Sequence, residues 1–221
     1  TMGNVTYSGA GHSRPSKDAE IKLFVNTMIA AYNAGVTAPS VNFKDKSGSK
    51  IQSVYMLYDP VNHIVLDDKN NGTISVNFQA DDYNILAGGQ QLCVEFYKSC
   101  ADDTAGAISV DGITGKVLRL KTDGEHGLKI TDSNGKVISP TERNGVKNCY
   151  PITNGATYTL KYSSDEMGLF RTDTSGTILN EGAQAATIYA RVYTVYDNGS
   201  KVTPCGIAEL SISAQELFEL D

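Results

Sequence analysis

Past residue 40 the chain alternates apolar and polar residues in short runs, and tight-turn dipeptides separate those runs. Five Asn-Gly pairs (Asn71, Asn134, Asn144, Asn154, Asn198) and two Asp-Gly pairs (Asp111, Asp123) supply the positive backbone angles that two-residue hairpins require. Gln91–Tyr97 sets Leu92, Val94 and Phe96 against Cys93, Glu95 and Tyr97, and Ala156–Tyr162 sets Tyr158, Leu160 and Tyr162 on one face. Further strands are predicted at 53–58, 63–66, 73–79, 107–110 and 117–121. Leu128–Ile138 forms a hairpin around Asn134-Gly135, and 187–196 with 202–213 forms a longer one. Pro204 and Gly206 in that return arm predict a bulge or an edge position. Residues 163–186 are polar and turn-rich and read as an irregular excursion.

Before residue 40 the period changes. Ile21, Phe24, Val25, Met28, Ala31 and Tyr32 recur at three- and four-residue steps, the stripe of an amphipathic helix. Ser16 is its N-cap, Asp18 and Glu20 lie in its first turn, and Gly35 stops it. A short strand is expected at 4–9. The stripe is too apolar to face water, so the helix is expected to dock on a sheet. The fold class predicted is mainly β, an antiparallel Ig-like sandwich with this helix packed against it. Gly and Asp density rises over 100–125, which favours three segments: a strand–loop–helix at 1–38 that resembles the tail of an α/β domain, a sandwich module at 39–115, and a second at 116–221. One larger sandwich is the alternative.

Composition narrows the function. The 221 residues carry a net charge of −6 with no Lys/Arg cluster, which argues against nucleic acid. No apolar run approaches the roughly 18–20 residues of a membrane-spanning helix, so no insertion by this segment is expected. The opening Thr1-Met2-Gly3-Asn4 has no basic region or apolar run and reads as a cut from a longer protein.

Four cysteines, Cys93, Cys100, Cys149 and Cys205, have no zinc spacing and no neighbouring His. They are either buried thiols or disulfides of an oxidising compartment, with Cys93–Cys100 and Cys149–Cys205 the first choice among three connectivities. His12, His63 and His126 lie in separate loops, and no catalytic residues are assigned. No cofactor is expected, with calcium as the alternative at Asp81, Asp82 and Asn84, whose oxygens sit together on a loop. Turn-forming and solvating roles are the first explanation for such Asp and Asn residues.

Trp is absent, but twelve tyrosines offer flat faces for sugars. Tyr189 with Tyr193, and Tyr158 with Tyr162, share strand faces and are the carbohydrate platforms to examine. Lys98, Lys129 and Lys161 sit inside apolar strands, with Glu95 and Glu209 as partners for a lysine cross-link of the kind found in stress-bearing sandwiches.

Two stretches carry a resemblance: Gly3–His12 with Lys22–Tyr32, and Ala208–Ser213 with Leu217–Asp221. They resemble an uncharacterised domain family of large envelope-associated proteins from clostridia and related Gram-positive bacteria. The resemblance implies an α/β segment leading into Ig-like modules outside the cell or on its wall, and it transfers no catalytic residue. The function expected is non-enzymatic: spacing, adhesion or recognition of a protein or glycan partner. The alternatives are a carbohydrate-binding module with Tyr platforms and the C-terminal fragment of a larger surface enzyme.

Overall fold

The computed structural model describes residues 18, 21–22, 24–26, 28, 38–59, 64–66, 72–82, 89–169, 185–196, 199 and 201–216. The chain divides into two compact units, Thr1–Thr37 and Ala38–Asp221. In the first, the described residues are helical, as the stripe periodicity predicts. Four members of the stripe expected to dock, Ile21, Phe24, Val25 and Met28, are 46–60% exposed. The strand expected at 4–9, the Ser16 cap and the Gly35 stop lie outside the described residues.

The second unit is β. Its strands in chain order are β1 (Ser40–Lys44), β2 (Ser53–Asp59), β3 (Ile64–Leu66), β4 (Thr73–Asp81), β5 (Gln91–Ser99), β6 (Val117–Arg119) and β7 (Lys129–Asp132). There follow β8 (Val137–Ile138), β9 (Thr141–Arg143), β10 (Val146–Ile152), β11 (Thr157–Ser163), β12 (Ala185–Tyr196), β13 (Lys201–Val202) and β14 (Gly206–Glu216). Among the described residues they form a five-stranded sheet, β1-β4-β11-β7-β8, and a nine-stranded sheet, β3-β2-β14-β12-β5-β10-β9, with β6 on β5 and β13 on β12. Every neighbouring pair is antiparallel except β2 with β14.

The two sheets face each other, and the alternation seen in the sequence decides what lies between them. Val76 and Phe78 from β4 and Leu160 from β11 meet Val94 and Phe96 from β5 and Val192 from β12 in one buried cluster. Phe78 and Phe96 contact edge to face across the gap, with ring centroids 5.2 Å apart. Removing such rings from water is the main favourable term in holding sheet to sheet.

The expected module boundary at 115/116 cuts through paired strands. β5 lies between β12 and β10, and β4 pairs with β11, so strands from both sides of 115 are hydrogen-bonded to one another within each sheet. The described strands of the second unit therefore share one core. At Asn144-Gly145 the predicted hairpin is present, with φ of 51° and 74° at its centre, and it joins β9 to β10. No strand was expected on either side of that turn. Within 163–186, Ser164–Met167 makes a single helical turn, and 170–184 lie outside the described residues.

The break at Pro204 is also present, but β14 runs between β12 and β2 instead of along an edge. Gly206 admits a close backbone crossing there. A Cβ on Gly206 would lie 1.9 Å from the carbonyl oxygen of Pro39, which crosses over the start of β14. Gly206→Ala is expected to cost about 1–3 kcal/mol, because backbone on both sides has to move. Urea unfolding measures it, and an unchanged midpoint would count against this close approach.

Candidate functional site

The outer face of the nine-stranded sheet holds the chemistry. Side chains alternate along a strand, so Cys93, Glu95 and Tyr97 on β5 point away from the inter-sheet core. Tyr189, Arg191 and Tyr193 on β12 do the same. Register then fixes who meets whom: Arg191 stands opposite Glu95, Tyr193 opposite Cys93, and Tyr189 opposite Tyr97. β6 adds Arg119 opposite Tyr97 on the other side.

An outer sheet face ordinarily meets solvent, yet Cys93, Tyr97 and Tyr193 are 0%, 4% and 2% exposed. Neighbouring segments cover them. Arg191 Nε donates to the carbonyl of Asp111 at 3.3 Å, and Arg143 Nη1, at the end of β9, donates to the carbonyl of Gly199 at 3.0 Å. The guanidinium groups of Arg191 and Arg143 both lie over the Tyr193 ring, 5.3 and 5.7 Å from its centroid.

Glu95 is the hub. Its Oε2 accepts from Tyr97 OH at 2.7 Å and from Arg191 Nη1 at 3.0 Å, and its Oε1 accepts from Tyr193 OH at 2.8 Å. The Glu95 and Arg191 side chains are only 14% and 17% exposed. Three donors on one carboxylate hold the charge in place and satisfy it. Burial, then the Glu95 carboxylate, pushes the Tyr97 and Tyr193 phenols well above their ordinary range, so both remain neutral donors.

A disulfide braces this face. Cys93 on β5 is bonded to Cys149 on β10, with their Cα atoms 5.6 Å apart. Cys205 and Val195 pack against the bridge and Tyr193. Cys205 and Cys100 are half-buried free thiols, and burial raises the Cys205 thiol above its ordinary value. The expected pairings, Cys93–Cys100 and Cys149–Cys205, are thus replaced. Six residues of extended strand lie between Cys93 and Cys100 and hold them about 20 Å apart, far beyond the reach of a bridge.

The other predicted site residues have different work. Tyr158 and Tyr162 are 5% and 1% exposed, and both belong to the inter-sheet core. With Tyr193 also buried, three of the four expected sugar platforms show no open ring; Tyr189 is half-buried. The Asp82 carboxylate accepts from Thr194 Oγ1, and its backbone N–H and carbonyl both pair with the Asn154 side chain. Asp81 accepts from Gln79 Nε2 at 3.1 Å. Asp82 thereby ties the end of β4 to β12 and to the β10–β11 turn. Asn84 lies outside the described residues, as do His12 and His63. Among the described residues no three His, Cys, Asp or Glu side chains converge as metal ligands.

Of the lysines considered for a cross-link, Lys129 and Lys161 oppose each other on an exposed face. Lys98 donates to the carbonyl of Glu166 and, by strand parity, points to the face opposite Glu95. Glu209 is exposed and stands in register with Tyr189. A hollow of about 580 Å³ on the outer face of the five-stranded sheet includes Asp45 and Asp132. Both are occupied in turns: Asp45 accepts from Ser47 Oγ and Ser49 N, and Asp132 accepts from Asn134 N and Lys136 N.

Above Glu95 the outer face opens into a groove of about 270 Å³, whose walls include Arg119, Arg143 and Val202. Three arginines against one glutamate make it locally cationic on a chain whose net charge is −6. Sequence reasoning had singled out Glu95 and the tyrosines but not Arg119, Arg143 or Arg191. Arg191 shares strand parity with Tyr189 and Tyr193, and that was the available signal; its partner was hidden until register was known.

No family model matches the chain, and no curated protein matches it. Among solved structures it is similar to the N-terminal domain of PorA, at 10% identity over 80% of this chain and 97% of that one, with a TM-score of 0.28. It is similar to murine CRIg at 10% identity, covering 82% of this chain and all of that one, with a TM-score of 0.29. It is also similar to AvmM, which catalyses macrocyclization in alchivemycin A biosynthesis, at 12% identity over 82% and 91% of the two chains, with a TM-score of 0.32. At such TM-scores these similarities lend no weight to any functional reading.

The neutral phenols make stability pH-dependent at the alkaline end. Their folded values are raised, so the unfolded chain, titrating near 10.0, loses these protons first. The stabilisation is complete below about pH 10 and is lost as pH rises towards the folded values. Tyr97→Phe and Tyr193→Phe are each expected to flatten the fall of stability above that pH, measured by denaturant unfolding alongside phenolate absorbance. A slope that neither substitution changes would contradict the assignment.

Proposed function

We propose that this chain is a non-enzymatic module of the cell exterior or cell wall, part of a longer protein, whose β-sandwich serves adhesion or recognition of a partner. The observation that supports it best is the Cys93–Cys149 bridge beneath the arginine-lined groove. A disulfide linking two neighbouring strands persists in oxidising surroundings, and closing a loop of 56 residues contributes about 4 kcal/mol in the chain-entropy account. The carboxylate in the groove is held by an arginine and two phenols, an arrangement suited to fixing a surface shape and not to passing a proton. The sequence resemblance to envelope-associated proteins points the same way.

The test has two readouts. Peptide mapping of protein recovered from its own cells should find Cys93 and Cys149 cross-linked in material accessible to protease added outside. The purified oxidised chain should be retained saturably by at least one envelope or host-surface polymer without consuming it. Four free thiols in protease-protected protein, or turnover of the polymer, would overturn the proposal.

A further inference from the structure

We infer that the groove over Glu95 takes an acidic sugar unit of a glycan, gripped at its carboxylate or sulfate by Arg119 and Arg143. This deepens, and rests on, the recognition role proposed above.

The three arginines of the groove are not equivalent. Arg191 is committed: Glu95 neutralises it, the Asp111 carbonyl fixes its Nε, and its guanidinium lies against Tyr193. Arg119 and Arg143 come from different strands, β6 and β9, and line the same cavity. Among the described residues neither is within ion-pair distance of a carboxylate. Arg143 is nevertheless positioned, by Gly199 on one side and the Tyr193 ring beneath it. A guanidinium held in place before binding loses little freedom when it grips an anion, and its fork matches the two oxygens of a carboxylate or sulfate. Glu95 keeps the floor rigid, since its three donors leave it no need to compete for these arginines.

Two features select a sugar over an acidic peptide. The first is the supply of polar groups: Asn144 lines the groove, and so does Ser109, whose Oγ accepts from Lys116 Nζ and keeps its own proton to donate. Hydroxyl-rich rings use such neutral groups, while Val146 and Val202 present apolar surface to ring C–H groups. The second is backbone pairing. β5 lies between β12 and β10, and β12 between β14 and β5, so an extended peptide finds no free strand edge on the floor and only the two- and three-residue strands β6, β9 and β13 at the walls. A cavity of about 270 Å³ suits one ring with its substituents, not several residues of chain.

The test uses the full oxidised chain and calorimetric or NMR titration with four probes: a hexuronate oligosaccharide, a sulfated counterpart, a neutral one and an acidic peptide. Binding of the uronate or the sulfated probe, weakened by salt, absent for the neutral sugar and reduced about tenfold by Arg119→Gln or Arg143→Gln, is the expected result. Which of the two acidic probes binds identifies the anion. Neither Arg119 nor Arg143 bonds Glu95 directly, and a retained cooperative unfolding transition with an unchanged circular dichroism spectrum verifies the fold of each variant. Retention of the chain by a surface polymer that neither substitution affects would overturn the groove assignment and leave the recognition role standing. Binding of the peptide alone would overturn the sugar. Absence of binding to every probe and every surface polymer would overturn both.

Discussion

The pairing of β5 with β12 is the constraint from which most of this protein follows. It joins residues 91–99 to 185–196, two central strands of the larger sheet, and so makes one body of the second unit, where the sequence suggests two modules. The same register performs two tasks at once. Facing inward, it lays Val94 beside Val192 and Phe96 beside Ala190, which forms half of the inter-sheet core. Facing outward, it sets Glu95 against Arg191. A slip of one residue would exchange these two faces, sending the charged pair into the core and the apolar row to the surface. Burial of the inner face and ion pairing on the outer one therefore enforce the same register.

The outward face is unusual in being covered. Turn segments and short strands close over Cys93, Tyr97 and Tyr193, and their cover leaves the groove as the opening. Charge placed beneath such a cover is costly unless it is paired, and the protein meets that cost with three hydrogen bonds to Glu95 and two carbonyl-bound guanidinium groups. The disulfide from β5 to β10 steadies the remaining wall. The result is a rigid floor with Arg119 and Arg143 at its margin, which is the physical basis for reading the groove as a recognition surface.

Much of the fold was legible in the sequence because strand alternation and turn chemistry are local. The apolar positions of β4, β5, β11 and β12 appear as alternate residues, and Asn134-Gly135 and Asn144-Gly145 mark real hairpins. What lay hidden is non-local. Cys93 and Cys149 are 56 residues apart, and nothing near either announces the other. Tyr158 and Tyr162 looked like exposed platforms because alternation identifies which residues share a face without telling which face is buried. Arg191 appeared as an ordinary strand residue until register gave it Glu95. β9 and β10 escaped notice because Lys147 and a bulge at Asn148 interrupt the alternation that marks the other strands.

The central claim is that Glu95 and Arg191 act as one buried unit fixed by strand register, and a double-mutant cycle tests it most directly. Unfolding free energies of the native protein, Glu95→Gln, Arg191→Met and the double variant give the coupling between the two side chains. A buried, hydrogen-bonded pair should show a coupling of about 2 kcal/mol, with the double variant much less damaged than the two single effects combined. Single effects that add to within about 0.5 kcal/mol would mean that the two side chains act independently, and the account of the outer face would fail.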